Sequence, residues 1–333
     1  MKRLSIPGLS VWLIGCASQP AGPVAAPPVS TSAVAGPAAV DRWLTKLDVA
    51  HPLVGKVWDV RARGFVPLAE VVERAAAARF VLLGERHDNP DHHRLQARIL
   101  EALVEAGRRP AVVLEMLELE QQASVDQYLA RPDATAAGFG AALAWHETSW
   151  PPFVEYQPIF EVALAAKLKI AAGNLAHATA RRLVKEGLSA LPAERVQALR
   201  LAEPFPEPLE ASLAAELSAS HCGHLPQRLL GPMALAQHAR DAQMASVMST
   251  TGASDGAVLI AGAGHARQDR GVPYYLRLTA PDATIVSIAW YEVAHGLEDA
   301  QAYGAPAQAF DYVWFTPRGS DEDPCAAFSK PGK

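Results

Sequence analysis

Short apolar runs alternate along the chain with longer segments in which apolar residues recur every three or four positions. The first pattern is typical of buried parallel strands and the second of helices with one buried face. It predicts strands at residues 79–84, 110–116, 168–172, 257–261 and 284–290. It predicts helices at residues 90–106, 119–129, 153–167 and 175–187, and mostly helical structure over 209–248. Strands that alternate with helices indicate an α/β fold, with a mainly parallel sheet flanked by helices.

Composition and charge narrow the class of protein. Half of the 333 residues are hydrophobic, which is enough for a substantial core. The formal charge is −5, and acidic and basic residues are interspersed. Nucleic-acid binding is therefore not expected, because it would need a basic patch or stripe.

The N-terminus has the features of a targeting segment. Lys2 and Arg3 precede a short apolar stretch that ends in Leu13-Ile14-Gly15-Cys16, which resembles a bacterial lipobox. The resemblance implies a lipoprotein signal peptide at residues 1–15 and a lipid anchor on Cys16; the alternatives are an ordinary signal peptide or an uncleaved tail. Ala17, rather than aspartate, favours the outer membrane by analogy with lipoprotein sorting, and the protein would face the periplasm.

Low-complexity segments suggest where the folded domain begins and ends. Residues 16–40 are rich in Ala, Pro, Val and Ser without periodicity, which predicts a flexible tether. The predicted α/β domain spans residues 41–317. Residues 318–333 are polar and rich in Pro and Gly, and predict a loose C-terminal tail.

Two Gly-x-x-His turns follow predicted strands and carry the candidate chemistry. The first places Glu85 and His87 after a strand, the second places His265 after another, and Glu115 follows a third. Because ligands bind at the carboxyl ends of parallel strands, we expect these four residues to share one site. Carboxylates and imidazoles suit a divalent metal, and they suit acid–base chemistry without metal equally well. The alternative is that Glu85 and His87 only stabilise the turn before the next helix.

Five segments in this order resemble the ChaN-like branch of the haem-binding uptake, Tiki-like superfamily. They are Leu82-Leu83-Gly84-Glu85-Arg86-His87-Asp88-Asn89-Pro90-Asp91-His92-His93-Arg94-Leu95-Gln96, Leu114-Glu115-Met116, His221-Cys222-Gly223-His224-Leu225-Pro226, Gln237-His238-Ala239-Arg240-Asp241-Ala242-Gln243-Met244-Ala245 and Gly262-Ala263-Gly264-His265-Ala266-Arg267. The resemblance implies an α/β domain with a helical insertion, in an iron-uptake lipoprotein that binds haem or a related iron complex as a homodimer.

The same resemblance leaves open whether the protein is an enzyme. Distant members of the superfamily are hydrolases, among them erythromycin esterases and metal-dependent Tiki peptidases, and they use the positions of Glu85, His87 and His265. The chain departs from the family pattern at Asn174-Leu175-Ala176-His177, where relatives usually carry Pro-Arg after Asn-Leu.

The candidate residues for haem binding and for metal binding overlap. Haem needs an axial ligand beside a wide apolar pocket. The candidate haem-binding residues are His87, His92, His93, Glu115, Tyr156, His177 and His265. The candidate metal ligands are Glu85, His87, Glu115 and His265. Arg240 and Asp241 are expected either to support these groups or to form an ordinary surface pair.

The remaining thiols leave one structural question open. Cys222 and Cys325 are the cysteines other than Cys16. An oxidising compartment would permit a disulfide between them, but the geometric requirement is strict and sequence distance does not test it.

Overall fold

Apolar strands form the centre of the protein, in a computed structural model that describes residues 42–323 and 325–326. The strands are β1 (Val57–Asp59), β2 (Gly64–Val66), β3 (Phe80–Glu85), β4 (Ala111–Glu118), β5 (Ile170–Asn174), β6 (Ala257–Gly262), β7 (Ile285–Glu292) and β8 (Tyr312–Thr316). They join into one eight-stranded sheet in the order β2-β1-β8-β7-β3-β6-β4-β5. The five strands from β7 to β5 and their neighbour β8 run parallel, while the β1–β2 hairpin is antiparallel.

Helices fill the connections between the strands. They are α1 (Leu68–Ala77), α2 (Pro90–Glu105), α3 (Gln122–Leu129), α4 (Ala136–Ala142), α5 (Phe153–Ala165), α6 (His177–Glu186), α7 (Ala193–Ala198), α8 (Glu207–Ser220), α9 (Gln227–Thr251), α10 (Ala263–Ala266), α11 (Val272–Thr279) and α12 (Gly304–Ala307). The predicted fold class is confirmed, and so is the helical insertion, because α7, α8 and α9 follow one another between β5 and β6.

Strand alternation divides the core into two layers. Successive side chains of a strand point to opposite faces, so Val81 and Leu83 of β3 pack on one side and Phe80 and Leu82 on the other. The first layer includes buried residues of α1, α2 and α5, and the second those of α6, α9 and α11. The sheet is thus covered on both faces, as parallel sheets require.

The start of α2 fixes the geometry directly after β3. Asn89 caps the helix, since its side chain accepts a hydrogen bond from the backbone N–H of Asp91 at 3.0 Å, and Pro90 occupies the first helical position. The carboxylate of Asp91 in turn accepts hydrogen bonds from the backbone and hydroxyl of Thr45. The predicted apolar face of this helix is buried: Leu95, Ile99, Leu100 and Leu103.

The C-terminal segment is attached to the domain at several points. The Arg318 side chain forms an ion pair with Asp48, with 2.6 Å between Nε and Oδ2. Cys325 forms a disulfide with Cys222 in the turn between α8 and α9, across a Cα separation of 5.6 Å. This bridge settles the question that the sequence left open.

The predicted lipid anchor and tether lie outside the part of the chain that the structure describes. Cys16 and residues 1–40 belong there. Within the described ranges, every helix is too short or too polar to cross a membrane.

Candidate active site and ligand cleft

Strand register brings the candidate residues to one edge of the sheet. Glu85, the last residue of β3, is the direct neighbour of Gly262, the last residue of β6. On the other side of β6, Leu114 pairs with Ile260, so Glu115 lies one position further along the same edge. An irregularity in the β4–β5 pairing begins after Leu114, and such irregularities can redirect a side chain at a site.

Glu85 anchors the first of two acid–imidazole clusters, which we call the β3 cluster: Glu85, His87, His93 and Tyr156. One carboxylate oxygen, Oε1, accepts hydrogen bonds from the Tyr156 hydroxyl at 2.7 Å and from Nδ1 of His87 at 2.8 Å. The other oxygen lies 3.4 Å from Nε2 of His93, whose ring stacks on Tyr156. Burial alone would raise the pKa of Glu85, but the two histidines outweigh it and lower the pKa to about 2.

His87 is the member of the β3 cluster that reaches the surface. Its side chain is 38 % exposed, whereas the Glu85 carboxylate beneath it is buried. Burial opposes the charged imidazole, but the hydrogen bond that His87 donates to Glu85 and the charge of Glu115 raise the pKa of His87 above its usual value. Because Glu85 occupies Nδ1, Nε2 is the nitrogen left to meet a ligand.

Two neighbours define the position of the His87 ring. Trp150 packs edge-on against it, with the ring centroids 4.9 Å apart. Gly262 lies beside it, and a Cβ at that position would be 2.9 Å from Nε2 of His87. A larger residue at position 262 would therefore displace the imidazole.

Glu115 anchors the second group, the β4 cluster: Glu115, Arg240, Asp241 and His265. Glu115 accepts hydrogen bonds from the backbone N–H of Gly262 at 2.7 Å and from the Arg240 guanidinium at 2.5 Å. Nε2 of His265 lies 3.2 Å from the same carboxylate, and its Nδ1 lies 2.6 Å from Asp241. The α9 helix supplies Arg240 and Asp241 on adjacent positions, so they support the site rather than forming a surface pair.

Charge balance fixes the protonation of the β4 cluster. Burial opposes a charged His265, but Glu115 and Asp241 raise its pKa to about 9. The same contacts with His265 and Arg240 hold the pKa of Glu115 well below its usual range, although burial opposes this. Burial raises the pKa of Asp241 against the attraction of His265. With both acids ionised, two carboxylates face one imidazolium and one guanidinium, and the charges of the cluster balance.

The clusters meet at the floor of a two-lobed cleft. Nε2 of His87 and Oε2 of Glu115 are 4.0 Å apart. The first lobe has a volume of about 910 Å³, and the second, about 890 Å³. Both are lined by His87, Glu115, Ser149, Trp150, Gln237 and Arg240. His87 and His265 therefore border one cleft, although they are far apart in the sequence.

The other candidate residues lie at different depths. His92 is fully buried away from the cleft lining; its Nδ1 accepts the backbone N–H of Arg86 at 2.9 Å, and its Nε2 lies 2.9 Å from the Thr316 hydroxyl. Burial lowers the pKa of His92 to about 3, so this ring is neutral. His93 and Tyr156 lie behind Glu85 and are also fully buried. His177, at the start of α6, is exposed and lines the second lobe.

The candidate metal ligands are not arranged as a metal site. Among the described residues, no group of three or more His, Cys, Asp or Glu side chains is placed to hold a metal ion. The carboxylate oxygens of Glu115 and one oxygen of Glu85 already accept hydrogen bonds, and Nδ1 of His265 contacts Asp241. The donors thus contact one another instead of surrounding a common point.

Some residues of the cleft were not assigned a role from the sequence. Gln237 lies one helical turn before Arg240 and Asp241 on α9, and its amide is 3.2 Å from His265. Asn174, at the end of β5, accepts from Arg240 at 3.1 Å and donates to the backbone carbonyl of Glu115. A sequence signal existed for Gln237, because its spacing from Arg240 and Asp241 places the three residues on one face of a helix.

This fold and this site define an α/β protein with a cleft at the carboxyl edge of its sheet. The chain belongs to the family described as haem-binding uptake, Tiki superfamily, ChaN, whose pattern it matches over residues 71–276. No curated protein matches the chain.

A solved structure supports the fold. The chain is similar to ChaN of Campylobacter jejuni, described with cofacial haem binding, at a TM-score of 0.62 and 22 % identity, over 78 % of this chain and 95 % of that one. It also matches the type III effector HopBA1 at a TM-score of 0.41 and 13 % identity, over 75 % of this chain and 92 % of that one. A mutant of the erythromycin esterase EreC matches at a TM-score of 0.36 and 16 % identity, over 68 % of this chain and 72 % of that one. The last two likenesses are too distant to carry a functional argument.

Proposed function

We propose that the protein binds haem in the two-lobed cleft and serves iron uptake at the cell envelope. Membership of a haem-binding family supports the ligand class. The observation that carries the proposal is His87: a partly exposed imidazole at the junction of two large lobes, with its far nitrogen held by a buried carboxylate.

The residues of the cleft fit a haem group. An axial histidine needs one free ring nitrogen, and a hydrogen bond from the other nitrogen to a carboxylate orients the ring and raises its basicity. His87 and Glu85 meet this requirement through Nε2 and Nδ1 respectively. The second lobe offers an apolar wall for a macrocycle, formed by Met116, Leu175, Val184, Leu217, Met233 and Ala236. Bound haem would supply the iron that this imidazole holds.

Haem titration of the full-length chain in detergent tests the proposal. We expect a saturable Soret shift that His87→Ala weakens strongly. Glu85→Gln should weaken affinity about 10- to 100-fold, because it removes the carboxylate that orients the ligand. His146→Ala is the matched control, since His146 is an exposed histidine outside both lobes. A wild-type chain without a saturable shift at micromolar haem would contradict haem binding.

Anchoring through Cys16, in the outer membrane and facing the periplasm, is the second part of the proposal. The lipobox-like sequence before Cys16 supports it. Cys16→Ser should abolish acyl labelling and release the protein from the membrane fraction. Unchanged labelling and fractionation would overturn this part. Light scattering of the purified chain with and without haem tests the homodimer that the family resemblance suggests.

A hydrolase is the alternative function, and one specific observation favours it. The Glu85–His87 pair orients Nε2 of a partly exposed imidazole toward the cleft, which is the arrangement of a general base. Nε2 of His87 would take a proton from a water held there while the water oxygen adds to the carbonyl carbon of an ester or peptide. The same proton would then pass to the departing alcohol or amine, and His265 would assist from the same cleft. Ester or peptide turnover that disappears in Glu85→Gln and His87→Ala, with haem binding absent, would favour this alternative.

A further inference from the structure

A cavity of about 140 Å³ lies apart from the two-lobed cleft. We call it the α9–α11 cavity, because its lining comes largely from α9 (Gly231, Leu235 and His238) and α11 (Tyr274, Tyr275 and Leu278), with residues 200, 201 and 203–205 and Glu210 of α8. Among the described residues, none lines both this cavity and a lobe of the cleft. Pockets for drug-sized ligands span about 300–1,000 Å³, so this cavity suits a compact group rather than a macrocycle.

Aromatic rings form much of the wall of this cavity. The rings of Phe205 and Tyr274 have centroids 4.7 Å apart and are inclined at 58°, and those of Tyr274 and Tyr275 are 5.1 Å apart at 82°. Rings set at such angles make a curved wall, and Leu235 and Leu278 lie beside them. The face of an aromatic ring carries negative electrostatic potential and attracts cations. The wall therefore favours a cationic ligand over a neutral one of the same shape.

Glu210 adds a negative charge beside the aromatic wall. Its Oε2 accepts a hydrogen bond from Nε2 of His238 at 2.8 Å, and the His238 ring packs on Phe205 with the centroids 4.0 Å apart. His238 is buried, and its Nδ1 has no hydrogen-bond partner in the described part of the chain. A charged ring would bury a second N–H without an acceptor, which is costly. The imidazole therefore donates through Nε2 alone, and the Glu210 carboxylate keeps its charge.

The arginine of the cavity does not cancel this charge. Arg200 pairs with Glu203, with 2.7 Å between Nε and Oε1, and it donates to the backbone carbonyl of Leu278 at 3.2 Å. Among the lining residues, one guanidinium thus faces two carboxylates, those of Glu203 and Glu210, which leaves one negative charge in excess. The Glu210 side chain is 40 % exposed, so a ligand can reach it from solvent.

We propose that the α9–α11 cavity binds a small organic cation that carries a quaternary ammonium group. Such a group needs no hydrogen-bond acceptor, which matches a wall built from rings and aliphatic side chains, and ring faces and carboxylates attract its charge. Phe205 and Tyr274 supply the aromatic contact, and Glu210 supplies the counter-charge. The site is separate from the cleft, so the inference does not depend on haem binding.

Isothermal titration of the full-length chain, purified in a maltoside detergent, tests the selectivity for charge. The probes are choline and its neutral isostere 3,3-dimethylbutan-1-ol, in which carbon replaces the ammonium nitrogen. We expect choline to bind at least about tenfold more tightly than the alcohol, because only choline gains the cation–π and ionic contacts. Equal affinities for the two probes, or no choline binding at millimolar concentrations, would overturn the proposal.

Two variants test whether choline binds in this cavity. Phe205→Leu removes an aromatic face, and Glu210→Gln removes the counter-charge while its amide oxygen can still accept from His238. Each should weaken choline binding about fivefold and leave the alcohol within about twofold. The matched controls are Phe65→Leu and Glu207→Gln, an exposed phenylalanine of β2 and an exposed glutamate at the start of α8, both outside the cavity.

Near-UV circular dichroism checks that each variant is folded, and Glu210→Gln keeps the test decisive if Phe205→Leu is not. Choline affinities that are equal in a folded variant and its control would overturn the assignment to this cavity. Soret titrations of both cavity variants should match those of the wild type, because neither residue lines the cleft. A parallel loss of haem affinity would contradict a site separate from the cleft.

Glycerophosphocholine distinguishes two sources of the ammonium group, free small molecules and phosphatidylcholine headgroups. The phosphate would bring a second negative charge to a cavity that already has one in excess, so we expect glycerophosphocholine to bind more weakly than choline. This order supports a free quaternary ammonium compound as the ligand, and the reverse order supports a lipid headgroup.

Discussion

The β3 and β4 clusters lie on one sheet edge and contain the same kinds of groups, but they differ in how completely their charges are compensated. In the β4 cluster, a guanidinium, an imidazolium and a backbone N–H surround Glu115, and Asp241 holds the far side of His265. In the β3 cluster, one oxygen of Glu85 and both nitrogens of His93 lack a well-aligned hydrogen bond. A cluster whose polar atoms all have hydrogen-bond or ionic partners stabilises the fold. A cluster with unpaired polar atoms and an exposed member is suited to act on a ligand.

The largest expected effect is on stability, and it separates the clusters directly. Glu115→Gln should lower the free energy of unfolding by about 3 kcal/mol, because it removes the buried carboxylate between Arg240 and His265 and leaves Asp241 as the acid of the cluster. Glu85→Gln should cost only about 1 kcal/mol, since an amide oxygen can still accept from Tyr156 and His87. Urea unfolding measures both.

Glu186→Gln is the control for that pair of variants. Its carboxylate forms an exposed i,i+4 pair with Arg182, so the expected change is below about 0.5 kcal/mol. Equal losses for Glu115→Gln and Glu85→Gln would contradict the contrast between the clusters.

Part of this contrast could be predicted from the sequence. The Gly-x-x-His turns after β3 and β6 predicted where Glu85, His87 and His265 would lie, because parallel strands end at a common edge. The partners of these residues depend on packing instead: Asp241 meets His265 only because α9 crosses that edge. The buried environments of His92 and His93 could not be read from their positions either, since one helical turn contains both.

The pattern of apolar and polar residues also does not predict every strand of the sheet or its neighbours. Strands β1 and β2 have three residues each, too few to establish an alternating pattern. Strand β8 has the β-branched and aromatic run Tyr312-Val313-Trp314-Phe315-Thr316, which is a strand signal, but its place beside β7 is set by tertiary pairing. The Cys222–Cys325 contact likewise depends on three-dimensional distance.

The pH dependence of stability should differ between two buried imidazoles. The folded pKa of His265, about 9, lies above its unfolded value, so its contribution is fully present below about pH 6.5 and is lost as the pH rises through 9. We expect a loss of roughly 2 kcal/mol on this alkaline limb. Urea unfolding at several pH values measures this loss. A free energy of unfolding that stays constant between pH 7 and pH 9.5 would argue against a charged β4 cluster.

His92 should act in the opposite direction. Its folded pKa, about 3, lies below its unfolded value, so unfolding takes up a proton and stability falls as the pH drops below about 6.5. Carboxylates with ordinary pKa values titrate mostly below the window from about pH 6.5 to pH 5, and comparison with the variant removes the contribution of the other groups. His92→Gln should flatten that limb, and an unchanged slope in the variant would contradict a neutral His92.

Gly262 tests whether the position of His87 matters for the ligand. Gly262→Ala would place a Cβ 2.9 Å from Nε2 of His87, so the ring must move. We expect about a tenfold loss of haem affinity, corresponding to about 1.4 kcal/mol, with smaller effects on unfolding. Gly64→Ala is the matched control, because its Cβ would meet nothing within 4 Å and the residue lies in β2, outside both lobes. Equal haem affinities for the two variants would show that the position of the His87 ring does not affect haem binding.

The smallest expected effect is the pH dependence of haem affinity. Iron binds the neutral imidazole, and the carboxylates beside His87 raise its pKa against the opposing effect of burial. Affinity should therefore increase as the pH rises through this raised pKa and then level off, by at most about tenfold per pH unit. Glu85→Gln removes the carboxylate that favours the charged ring, so the increase should move to lower pH even though the affinity at the plateau is weaker. Soret titrations at several pH values measure both curves, and a midpoint that Glu85→Gln does not shift would contradict the coupling between Glu85 and His87.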